Sequence, residues 1–160
     1  MRRTLQVLAV LLAAGPLAGC SDSPDMYFHD VCSFHNEMAD VMFSINDEAA
    51  AEDANSYWPK LFKEKEEQFK DRMEKLKQRY LEKPNKQDRL EWNGAWYDYY
   101  DEALATGKRL EHARQRLDAL IGAIQANDGS ASVKSLTAVR GWKTSVVMPD
   151  IIAEKKATPK

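Results

Sequence analysis

From Met26 onward, apolar residues return every three or four positions and never alternate over a strand-length run. That is the period of helices that each bury one face. Val31, Phe34, Met38, Val41 and Ile45 predict a first helix from Met26 to about Ala51. Asn55 or Ser56 offers an N-cap for a second helix, which takes Pro59 in its first turn and stops before Pro84. Its buried side reads Phe62, Phe69, Met73, Leu76 and Tyr80, and "KEKEEQFKDRMEKLKQR" supplies a charged outer face. After "KPNKQD", a long third helix is expected from about Arg89 to Ala126, with Trp96, Ala103, Leu110, Leu117 and Ile124 spaced by sevens. Tyr100, Gly107, Arg114 and Ile121 make the complementary positions of that seam imperfect. "NDGSAS" is a turn. Ser130 or Ser132 then caps a fourth helix carrying Val133, Leu136, Val139, Trp142, Val146 and Ile151, bent at Pro149.

Short connections favour antiparallel neighbours. The expected fold is therefore all-α, an antiparallel up-and-down bundle of about four helices over residues 26–156, with 157–160 a frayed tail. Three long helices plus a short C-terminal one is the alternative. Each helix has one stripe to bury, and the stripes together make a single core.

The first 25 residues follow another pattern. Arg2 and Arg3 precede an apolar run from Leu5 to Ala14 and small residues at Gly15 and Pro16, the parts of a secretory signal. The run is shorter than the roughly 20 residues that span a bilayer. Leu17-Ala18-Gly19-Cys20 follows. This stretch resembles the lipobox of bacterial lipoproteins. The resemblance implies removal of residues 1–19, diacylglycerol on the Cys20 thiol and an acylated new amine, so that Cys20 is the lipidation site and the membrane anchor. Residues 20–25 then read as the lipidated cysteine and a polar tether. Ser21, standing where the family's retention rule favours Asp, implies delivery to the outer membrane with the domain in the periplasm. The remainder is similar to small helical lipoproteins of bacterial envelopes, a likeness of type that carries no activity with it.

Composition narrows the picture further. The full chain has a formal net charge of −2; the leader takes Arg2 and Arg3 with it and no acid, which leaves −4. Mild acidity argues against nucleic acid as a partner and against an electrostatic grip on anionic lipid. With Cys20 lipidated, Cys32 has no intramolecular partner and no disulfide framework can form.

Three clusters invite chemistry. His29, Cys32 and His35 form H-x-x-C-x-x-H, but steps of three put the outer two about 120° apart and about 9 Å along a helix. One ion cannot hold all three on a straight helix, so Cys32 and His35 with an outside ligand are the candidate metal pair. No C-x-x-C-H or Glu-x-x-His pattern is present for haem or di-iron, and no cofactor is expected. In "EWNGAWYDYYDEA", Trp92, Trp96 and Tyr100 share a helix face with Tyr99, a candidate binding platform for a glycan or partner helix if exposed and ordinary core if covered. "INDEAAAEDAN" gathers Asp47, Glu48, Glu52 and Asp53 near an expected helix end, without a calcium loop.

G-x-S-x-G, H-E-x-x-H and G-x-x-x-x-G-K do not occur. The expectation is a non-enzymatic, lipid-anchored envelope protein whose bundle binds another envelope protein or spaces envelope components. A small-ligand or metal-binding lipoprotein is the alternative, and a hydrolase of envelope polymers the third reading.

Overall fold

Ser23 caps the first helix: its Oγ accepts a hydrogen bond from the Met26 amide at 3.3 Å, and Pro24 occupies the first turn of α1 (Pro24–Ser44). A cap and an early proline together satisfy the first amides of a helix. The computed structural model describes residues 22–144 and 146. The leader, Cys20, Pro149, Ile151 and the tail from 157 lie outside the described residues. Besides α1 the chain forms α2 (Glu48–Lys77), α3 (Lys86–Asn127) and α4 (Lys134–Arg140), and no strand occurs among the described residues.

The described residues form an all-α bundle of four helices, but several boundaries differ from the expected ones. The first break falls at residues 45–47, because Ile45 turns extended and the Asp47 carboxylate caps α2 by accepting from the Ala50 amide at 2.8 Å. Asn55 and Pro59 therefore lie inside α2, where they were expected at its start. The Asn55 side chain is a bridge, donating to the Ser135 carbonyl and accepting from Trp142 Nε1, both at 2.9 Å. At the other end α2 loosens into a π turn over Gln78–Glu82 that buries Tyr80. Asn85 and Asp88 then exchange side-chain and backbone bonds in a capping box, so α3 starts three residues before Arg89.

α3 holds 42 residues, about 63 Å of helix. α4 holds seven. Among the described residues the arrangement is thus three long helices plus a short C-terminal one, with α4 ending at Arg140. The chain leaves the helix at Gly141, yet Trp142 and Val146 remain buried.

Contacts fix the directions. Tyr27 meets Phe69 and Phe34 meets Phe62, so α1 and α2 are antiparallel. Phe28 meets Trp92 and Trp96 near one end of α3 while Arg116 donates to the Ile45 carbonyl at 2.7 Å near the other, so α1 and α3 run together. Arg140 pairs with Asp118 and Arg114 donates to the Trp142 carbonyl, which turns α4 back along α2. The order is up, down, up, down.

α1 is the central helix and buries Tyr27, Phe28, Val31, Phe34, Met38 and Met42 toward its neighbours. Its rings belong to one continuous aromatic ladder, from Tyr80 and Trp92 through Phe28, Tyr27, Phe69, Phe34 and Phe62 to Trp142, with successive centroids 5.3–6.2 Å apart and mostly edge-on. Arg72 braces this ladder at the start of α1. Its guanidinium makes a bidentate pair with Asp22 at 2.8 Å, a further bond to Asp30 at 2.9 Å, and lies over Tyr27 and Phe69.

Candidate functional site

α1 carries the two candidate metal ligands, and both side chains are already committed to the fold. Cys32 is 2 % exposed, against Thr106 and Glu102 of α3. Burial first, and Glu102 second, push its thiol up to about 11 against an opposing hydrogen bond with Thr106. A thiol held protonated and covered is neither nucleophile nor ready ligand. The native protein is accordingly expected to resist alkylation at Cys32 by iodoacetamide at pH 8, and to react fully in denaturant. Rapid native labelling would overturn this assignment of an inert thiol.

His35 points elsewhere. Its Nδ1 donates to the Val31 carbonyl at 2.8 Å, and the main chain at Val146 supplies a second partner. Burial lowers its pKa, outweighing the opposing pull of those bonds and of Glu66, so the neutral ring is favoured. The side chain ties the segment after α4 to the centre of α1. Among the described residues no group of three or more His, Cys, Asp or Glu side chains is arranged to hold a metal ion. His29 is exposed beside Tyr99, and His112 is exposed on α3.

The aromatic run divides by position. Trp92 is 8 % exposed, enclosed by Phe28 and Tyr80, whereas Trp96 and Tyr100 are half-buried and meet each other edge-on. Trp96 packs on Phe28, whereas Trp58, Phe62 and Trp142 cluster beside Phe34 nearer the far end of α1. Tyr97 is 77 % exposed. The structure thus brings Trp92, Trp96 and Tyr100 onto one face and covers most of it with α1.

Glu48 has a role that its sequence neighbourhood did not reveal. Val133 precedes α4 without a capping side chain, and Ser130 instead bonds Asp128 within the turn. Glu48, in the first turn of α2, fills the vacancy from a distance: its carboxylate accepts from the amides of Ser135 at 2.7 Å and Leu136 at 3.1 Å, with the Ser132 hydroxyl at 3.4 Å. The missing local cap was the available signal, but its remote replacement depends on how the helices meet.

No family model, curated protein or solved structure matches this chain.

Proposed function

We propose that this is a lipid-anchored envelope protein, held to the outer membrane through Cys20 and facing the periplasm, whose non-enzymatic helical bundle binds another envelope protein or spaces envelope components. The observation that carries the reading is the sequence Leu17-Ala18-Gly19-Cys20 behind a short apolar leader, with a capped helix beginning at Pro24. The short interval between Cys20 and the capped start of α1 supports that reading. The commitment of Cys32, His35 and Trp92 to internal packing supports a scaffold over a ligand-binding centre.

Fractionation with fatty-acid labelling tests the anchor. The wild-type chain is expected in the membrane fraction and labelled, and Cys20→Ala is expected to lose the label and most of its membrane association. A Cys20→Ala variant that remains labelled, or equally membrane-bound, would sink the assignment. Gentle purification from the same membranes is expected to recover an envelope protein together with the labelled chain.

A further inference from the structure

The net charge of −2 averages over two stretches of opposite character. Between Phe43 and Pro59 the chain carries Asp47, Glu48, Glu52 and Asp53 and no Lys or Arg; from Lys75 to Leu90 it carries six basic residues against Glu82 and Asp88, with Glu74 and Glu91 at its two borders. The acidic stretch lies at the far end of α1 and the basic stretch forms the α2–α3 hairpin tip. At that tip two large apolar side chains face outward, Leu81 at 43 % and Leu90 at 58 % exposure, among the exposed Lys77, Lys83 and Lys86. Met26, in the first turn of α1, is exposed at the same end.

The position of this tip relative to the N-terminus matters most. Immediately before α1, Asp22 is held by Arg72 and Ser23 caps the helix. Cys20 precedes Asp22 by two positions, a span of at most about 7 Å even when fully extended. Leu81 lies beyond Arg72 by about 13 Å along the hairpin, in the direction away from the body of α1. Cys20 thus stands two residues from Asp22, at the end of α1 that lies beside the hairpin tip, and a lipid on it would bring that tip toward the membrane surface. Exposed leucines ringed by lysines suit that surface: the apolar groups enter the interface and the ammonium groups meet phosphate.

We propose that the α2–α3 tip is a second membrane contact, a docking surface for anionic phospholipid headgroups in which Leu81 and Leu90 insert and Lys77, Lys83 and Lys86 bind phosphate. The inference rests on the lipid-anchor reading for its geometry. It replaces the expectation, drawn from net charge, that the domain has no grip on anionic lipid. It also turns the bundle from a body hanging on a flexible leash into one held upright at two points.

The test uses the whole chain as isolated from membranes, with acylation read from its intact mass. Gln87→Cys at the tip, and separately Gln125→Cys at the other end of α3, receive a fluorophore, and each protein is reconstituted in liposomes bearing a headgroup-linked quencher. In liposomes containing phosphatidylglycerol the label at 87 is expected to lose about half of its emission and the label at 125 to keep it, since the two sites are about 57 Å apart along the helix. Combining Leu81→Ser and Leu90→Ser with Lys77→Gln, Lys83→Gln and Lys86→Gln, or using phosphatidylcholine alone, is expected to restore most of the emission at 87. Absence of quenching at 87 in the anionic liposomes overturns the proposal, including the case in which the tip serves a protein partner instead. Equal quenching in phosphatidylcholine overturns headgroup recognition, because proximity would then come from the anchor alone. An unacylated mass defeats the anchor reading separately. The tip is then judged by the same quenching when the chain is added to preformed anionic vesicles.

Discussion

Trp92→Ala is expected to destabilise the domain by about 3–5 kcal/mol, a large part of the stability of a bundle this size. Trp92 is enclosed between Phe28 of α1 and Tyr80 of the π turn, with centroids 5.3 and 6.2 Å away. Removing the indole leaves a cavity at the place where three segments meet, and it interrupts the aromatic ladder at the end where Arg72 and Asp22 close the bundle. Urea denaturation of wild type and variants measures the effect. Trp96→Ala should lose less, because that ring is half-buried, and Tyr97→Ala should fall within about 0.5 kcal/mol of wild type as an exposed substitution. The ordering of the three is the informative result. If Trp92→Ala kept wild-type stability, the indole would not be core and the aromatic face would become the leading candidate for ligand binding.

Much of this arrangement is legible in the sequence, and the exceptions have physical causes. Helical period identified the faces correctly: Val31, Phe34, Met38, Val41 and Ile45 are buried on the first segment, and Ala103, Leu110 and Leu117 on the third. Period does not say which neighbour covers a face. Trp96 lies in the seam of sevens, yet Trp92 is the better buried ring because the π turn folds Tyr80 over it. The break at residues 45–47 was hidden by the alanine-rich run that follows, which favours helix directly after the cap. Asn55 looked like an N-cap, but an amide equally suits a tertiary bridge, and here it joins α2 to Ser135 and Trp142.

The candidate sites show the same division between local and distant information. Spacing alone put Cys32 and His35 within reach of a shared ion, but their orientations depend on α3 and on the segment after α4, which meet them from different sides. Likewise, net charge averages over the whole chain and conceals an acidic stretch and a basic stretch. Acids near the start of α2 and bases near its end also favour the helix through its dipole. That stabilisation accounts for part of the separation, but not for the exposed leucines at the basic tip.

The acidic end supplies the second large effect. Glu48→Ala is expected to destabilise the protein by about 1–3 kcal/mol at neutral pH, because the Ser135 and Leu136 amides lose a charged acceptor that no residue beside α4 replaces. The loss should concentrate in α4 and be seen as faster amide exchange there, together with weaker protection of the Trp142 indole, which Asn55 holds nearby. Glu52→Ala, on the exposed face of the same helix, should be within about 0.5 kcal/mol of wild type. The pH dependence gives an independent check. Burial raises the Glu48 pKa, but the bonds from Ser135 and Leu136 outweigh it and hold the carboxyl below its ordinary value. A carboxyl whose folded pKa is depressed contributes fully above its unfolded pKa, and that contribution is lost as pH falls through the folded value. The stability gap between wild type and Glu48→Ala should therefore be widest at neutral pH and narrow as the solution is acidified below the ordinary glutamate range. A gap that stays constant across that range would mean that α4 is held by Leu136 and Val139 packing alone and that Glu48 does not act as its cap.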